Sequence, residues 1–328
     1  MHYTTIMRKY IFSTTILLLS AVMLLYMSGC TAEEPDTSAP QRKEIERTAD
    51  WQGALLYVAD EVGPVDSWGS IRVYDNVSGF VEETVEQTLA AGPSDVYVTG
   101  DGSTMYVSSL ANGRVDQFHW NGNNWSRGNS AINSPALSLL TLAPAPGGLL
   151  YVADGDSTGD GRFFILNPET GRLDDRELAV PDLTAARGIS WAADGSQAFI
   201  SGISADGPVL LKLSWPAKTV SGSLALPVPQ PHQVVTSLDG ASLFVMGQGT
   251  IIRVDPATMT ILATIQPSGS PATEYMDGAF SADGRYLFTA GTEPGADSTL
   301  YVINLANLGV VHTVPHVSAR ANGIQRVE

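Results

Sequence analysis

The chain has 328 residues, with 34 acidic against 18 basic side chains and one cysteine, Cys30. A formal charge of -16 repels nucleic acid and anionic lipid faces, which excludes both as partners. A single thiol excludes an intramolecular disulfide, a c-type haem attachment motif and a thiolate metal cluster, so an exported form is held together by its core.

The first element in the chain is the run "MRKYIFSTTILLLSAVMLLYMSG", with Arg8 and Lys9 ahead of an apolar stretch from Tyr10 to Met27. A basic head, an apolar middle and small residues before a boundary form the layout of a secretory signal. The stretch is at the lower edge of what spans a bilayer, so length alone leaves a transmembrane helix open. The ending decides for cleavage, because Ser28 and Gly29 leave an open backbone before Cys30. The tetrapeptide "MSGC" resembles the lipobox of bacterial lipoproteins, with Met27 where leucine is more usual. That resemblance implies cleavage before Cys30, palmitate-type acylation of its sulfur and of the new amino terminus, and anchoring through several acyl chains. Thr31, in the place where aspartate retains such proteins at the inner membrane, implies the outer membrane, facing the periplasm.

The segment "TAEEPDTSAPQRKEIERTAD" follows, polar and without an apolar period, and reads as a tether. The expected organisation is therefore a signal at 1–29, a lipidated tether at 30–50 and a folded domain at 51–328.

From Trp51 the chain repeats. "ALLYVAD", "STMYVSS", "GLLYVAD", "SQAFISG", "ASLFVMG" and "RYLFTAG" recur at spacings of about 44 to 49 residues. Four of them follow an Asp-Gly pair, at Asp101, Asp194, Asp239 and Asp283, a hairpin signal because glycine takes the positive φ of the turn. The third copy uses "PAPGG". A further β-rich run follows each copy ("SIRVYDN", "RVDQFHW", "RFFILNP", "LLKLSW", "IIRVDP", "LYVINL"), then turn residues and a weaker fourth strand. Four antiparallel strands per repeat predict an all-β, six-bladed β-propeller. The domain opens on a second strand and ends on a first strand, so Gly323 to Glu328 is expected to join Gly53 to about Glu86 in one blade, closing the ring and removing its edges.

Repeats such as "LLYVADGDSTGDGRFFILNPETGRL" and "VYVTGDGSTMYVSSLANGRVDQF" resemble the YVTN type of propeller repeat, found in bacterial surface proteins and lactonase-like propellers. The resemblance covers nearly all of 51–328. It implies the fold and leaves the activity open among binding scaffolds, hydrolases and electron-transfer domains.

In a propeller the loops before first strands and between second and third strands share one face around the channel. That face is expected to receive Asp95, Arg187, His232, Asp277 and Asn322 near the starts of first strands. The longer loops add Asp60, Glu61, Asp66, Asp154, Asp156, Asp160, Asp206, Glu293 and Asp297. An acidic loop face of this kind fits a monomeric module that binds a protein or glycan partner, with Tyr275, Trp68 and His232 offering contacts. The other reading is a hydrolase. Six-bladed hydrolases of the gluconolactonase and paraoxonase kind hold a divalent cation in the channel, and on that resemblance Asp95, Asp277 and Asn322 are the ligand types for calcium. No "GxSxG" or "HExxH" motif accompanies them. A separate calcium candidate is "DGDSTGDG", where Asp154, Asp156 and Asp160 could converge. Gly159 matches an EF-hand loop, but Thr158 and Ile165 stand at its fifth and twelfth places, which favours a solvated acidic turn without a cofactor.

Overall fold

The computed structural model describes residues 55–61, 69–75, 81–87, 92–110, 113–128, 132–133, 139–154, 161–168, 170, 172–180 and 182–327. The signal segment, Cys30 and the tether lie outside these residues, as do Trp68, Asp156 and Asp160.

Every described element is a strand. The first blade receives β1 (Leu55–Asp60), β2 (Ser70–Asp75) and β3 (Val81–Gln87). The second is β4 (Pro93–Val98), β5 (Thr104–Ser109), β6 (Arg114–Trp120) and a divided outer strand, β7 (Trp125–Arg127) and β8 (Ile132–Asn133), both paired to β6. The third is β9 (Leu139–Pro144), β10 (Leu150–Asp154), β11 (Arg162–Asn167) and β12 (Arg172–Ala179). The fourth is β13 (Leu183–Trp191), β14 (Gln197–Ser204), β15 (Gly207–Ser214) and β16 (Thr219–Ala225). The fifth is β17 (Pro231–Thr236), β18 (Leu243–Gly247), β19 (Ile251–Asp255) and β20 (Thr260–Ile265). The sixth is β21 (Glu274–Phe280), β22 (Tyr286–Thr292), β23 (Ser298–Asn304) and β24 (Gly309–Ser318). The last strand, β25 (Ala321–Val327), returns to the first blade and pairs antiparallel with β1, giving the order β25-β1-β2-β3. The inner strands touch in the cyclic order β25, β4, β9, β13, β17, β21 and back to β25, so the ring of six blades is closed.

The apolar runs of the second strands follow from where the core sits. There are six hydrophobic clusters, one between each pair of neighbouring blades. In β1, Leu56 and Val58 pack against the sixth blade while Tyr57 and Ala59 pack against the second. Alternate residues point to opposite faces and both faces are buried, so the strand is apolar throughout. The Asp-Gly hairpins form as expected but span four residues rather than two. In the first of these, Thr99 N–H donates to the Thr104 carbonyl, Gly102 N–H closes a turn onto the Thr99 carbonyl, and Gly102 sits at φ +69°. The Asp101 carboxylate accepts from Ser103 N–H, which fixes the turn from inside.

Candidate functional site

Each inner strand carries a register shift at one level: Pro93/Asp95 in β4, the segment between Leu139 and Leu142 in β9, Ala186/Gly188 in β13, Pro231/Val234 in β17, Tyr275/Gly278 in β21 and opposite Ala59/Asp60 in β25. A β-bulge adds a residue to one strand and re-aims side chains locally. Here it turns one residue from each blade into the channel: Ser94, Leu140, Arg187, His232, Met276 and Asn322 line a common cavity with Thr141 and Gln233. The cavity is about 10 Å³, room for about one water.

The bulges also release backbone N–H groups toward the axis, and buried donors must be paired. Three side chains serve six of them. Asp95 accepts from Val96 N–H (2.7 Å) and Leu142 N–H (2.7 Å). Asp277 accepts from Gly278 N–H (2.7 Å) and Ile324 N–H (3.1 Å). Gln233 Oε1 accepts from Val234 N–H (3.1 Å) and Ile189 N–H (3.1 Å). Each acceptor thus joins two adjacent blades, and glycine makes the room. A Cβ on Gly323 would lie 2.3 Å from Asp95 Oδ1, and one on Gly188 would lie 2.2 Å from Gln233 Oε1.

The five channel residues expected from the sequence therefore divide between two levels. Arg187, His232 and Asn322 belong to the mouth, whereas Asp95 and Asp277 belong to the acceptor belt below it. Ser94, Met276, Gln233 and the two glycines escaped sequence reasoning, and the signal that finds them is their offset of about 46 residues from a residue already chosen.

The electrostatics of the two levels differ. Burial, and after it the Asp277 charge, push Asp95 well above the usual carboxylate range. Burial pushes Asp277 up to about 7. At the mouth, burial and then the charges of Arg187 and Arg320 lower His232 to about 3, so its ring is neutral. Burial also lowers Arg187. Among the described residues Arg187 has no carboxylate partner, in contrast to Arg72 on Asp60 (2.6 Å), Arg162 on Asp154 (2.8 Å) and Arg114 on Asp116. Asn322 Nδ2 donates to Glu61 Oε2 (2.8 Å) and to the Pro93 carbonyl (3.1 Å). Its Oδ1, and Nε2 of His232, are buried without a partner among the described residues.

Asp60 and Asp154 are buried under their arginines at the ends of equivalent second strands, so neither adds free charge to the face. Tyr275 is not a surface contact either. It is fully buried, and its hydroxyl donates to Ser268 Oγ. The exposed acidity lies beside the mouth, in an open groove of about 410 Å³ lined by Glu274, Glu293, Asp297 and Arg320 among others. Arg320 bridges this groove to the mouth by contacts to Glu274 (3.2 Å) and Glu61 (3.4 Å).

A divalent cation finds few donors here. Among the described residues no group of three or more His, Cys, Asp or Glu side chains is arranged to hold one. Every oxygen of Asp95 and Asp277 already accepts a backbone N–H, and calcium takes six to eight oxygens.

No protein-family profile matches the chain, and no curated protein is similar to it in sequence. Solved structures do share its fold. A candidate 6-phosphogluconolactonase from Bacteroides fragilis superposes with a TM-score of 0.60 at 12% identity, covering 86% of this chain and 99% of that one. Another from Bacteroides uniformis gives 0.58 at 17% identity, covering 80% and 82%. A chain of the nidogen/laminin complex gives 0.64 at 13% identity, covering 84% and 99%. These likenesses establish the propeller fold, which a candidate 6-phosphogluconolactonase and a chain of the nidogen/laminin complex share, and the fold alone does not select an activity.

Proposed function

We propose that the protein is a lipid-anchored envelope β-propeller that binds a protein or glycan partner on the face carrying the channel mouth, as a monomer. The observation that carries this reading is the mouth ring: Arg187, His232 and Asn322 hold unused hydrogen-bonding capacity on a rigid frame, beside an open acidic groove. The buried carboxylates that a hydrolase would use are engaged in holding blades together. Anchoring through Cys30 and an outer-membrane, periplasm-facing position rest on the lipobox resemblance alone. Cys30→Ala should move the protein from the membrane to the soluble fraction, and a variant still processed and membrane-bound argues against lipidation.

For the binding face, a photocrosslinking side chain at Ala296, in the groove, should give a defined adduct in intact cells, while one at Ser221, on the outer rim, should not. Equal labelling at both positions, or labelling at neither, argues against the reading.

The second reading is a lactonase-like hydrolase, favoured by the lactonase-like neighbours in fold and by an Asp277 carboxyl pushed up to about 7, the range of a general base. A panel of lactones incubated with the full chain, with and without calcium, separates the two. Turnover abolished by Asp277→Asn would displace the binding reading.

A further inference from the structure

The molecule is strongly acidic, and Arg320 at its channel mouth is paired with Glu61 and Glu274, which leaves Arg187 as the unbalanced cation there. Arg187 is half-buried there without a counter-ion among the described residues, with Arg320 close enough to depress His232. A partly desolvated guanidinium without a partner is costly, and its planar fork matches a carboxylate in two parallel bonds. Two further groups at the same cavity have no partner among the described residues. His232 is 8% exposed and Asn322 4%, and the unpaired atoms are Nε2 and Oδ1. The orientation of Asn322 is fixed by the two bonds from its Nδ2, so Oδ1 is an acceptor waiting for a donor.

We propose that the channel mouth is a receptor for a carboxylate flanked by a hydrogen-bond donor, the carboxylate meeting Arg187 and the flanking O–H or N–H meeting Asn322 Oδ1. This deepens the binding-module reading and rests on it. The neutral His232 ring adds a second donor to the anion in the tautomer that carries its proton on Nε2. A cation is repelled by Arg187. The cavity of about 10 Å³ has room only for the flanking donor group, so the carboxylate lies outside it on the solvent side of Arg187, and phosphate is the competing anion because an arginine fork takes it too. Two sources carry this chemistry: a small hydroxy acid, with O–H beside the carboxylate, and the end of a peptide chain, with N–H beside it.

The test is titration of the full chain in detergent solution, following the Arg187 side-chain Nε–H by NMR at pH 7, with glycolate, N-acetylglycine, acetate and inorganic phosphate. Glycolate or N-acetylglycine should saturate the signal, with acetate about tenfold weaker because it leaves Asn322 Oδ1 unpaired, and phosphate weaker than either donor-bearing acid. Tighter glycolate identifies a hydroxy acid, and tighter N-acetylglycine a chain end. By calorimetry, Arg187→Gln should weaken the better ligand at least tenfold. Where that variant does not fold, the ranking of the four probes on the unaltered protein decides. No saturation by either donor-bearing acid, acetate or phosphate binding as tightly as they do, or undiminished binding to a folded Arg187→Gln overturns the proposal. A silent titration with the Ala296 adduct retained removes the carboxylate receptor alone, and loss of both removes the binding reading with it.

Discussion

At the scale of single residues, the belt of Asp95, Gln233 and Asp277 sets a pH dependence whose sign can be worked out. An aspartate in the unfolded chain loses its proton near pH 4, whereas burial holds that of Asp277 to about 7 and that of Asp95 also well above the usual range. Between those limits the native state binds more protons than the unfolded one. Stability is therefore greatest below about pH 4 as far as this pair is concerned and falls as pH rises above it, the Asp277 contribution being lost as pH passes through about 7. Asp101 acts in the opposite sense and in another window. Its carboxyl accepts from Thr99 and Ser103 and is lowered to about 2, so its contribution disappears only in acid. Asp277→Asn presents an NH₂ to one of the two backbone N–H groups, and should cost about 1–3 kcal/mol at pH 5. The gap should narrow by pH 8, because only the unaltered chain pays for ionising that site. Urea unfolding across this range checks both statements, and a constant gap would remove Asp277 from the account.

Two glycines separate the two reasons a fold keeps glycine. Gly323→Ala places a Cβ 2.3 Å from Asp95 Oδ1 and 2.6 Å from its Cα, so backbone must shift, at about 2–3 kcal/mol. Gly102→Ala meets nothing within 4 Å but must hold φ +69°, at about 1–2 kcal/mol. Midpoints of urea unfolding should follow that order, with pH dependence altered only by Gly323→Ala.

At the scale of elements, the bulge in each inner strand produces both the mouth ring and the belt, and β25 is where the ring depends on one strand most. It supplies Ile324 N–H to Asp277, Asn322 Nδ2 to the Pro93 carbonyl, and Gln325 to the backbone of Val98 in the second blade. It also covers the edge of β1. Deleting 321–328 should therefore abolish cooperative thermal unfolding rather than fray one blade, and circular dichroism melts check this. A sharp transition at an unchanged midpoint would mean that the remaining blades close without it. The outer strands differ in kind. β16, β20 and β24 expose Val220, Leu262 and Val311 at 42%, 51% and 48%, because an outermost strand has no further sheet to pack against.

At the scale of the whole molecule, stability is shared around the ring, since among the described residues six clusters lie between blades and none lies within a single blade. The third and fourth blades show the joint well. Tyr151 and Trp191 pack at 5.1 Å between ring centres, and Trp215 closes edge-on against both. Native-state amide exchange should accordingly protect the second strands of all six blades to a similar depth, with β16, β20 and β24 exchanging first. A first blade that exchanges well ahead of the others would show that the joined termini form a weaker unit.

The sequence by itself determined the strand order, the number of blades and the joining of the two ends. The reason is that these depend on local signals: apolar runs of strand length, Asp-Gly turns, and a repeat that begins on a second strand and ends on a first. It also brought Arg187, His232, Asn322, Asp95 and Asp277 to one end of the channel, because each stands near the start of a first strand. Only the tertiary structure decided that three of them form the mouth and two form a belt beneath it. A bulge shifts the register by one residue, and which residue it turns inward depends on the neighbouring blade, whose contacting residues lie some 46 positions away in the chain. The same holds for Tyr275, whose burial comes from packing against the fifth blade and against Tyr301 of its own blade, both distant in the chain.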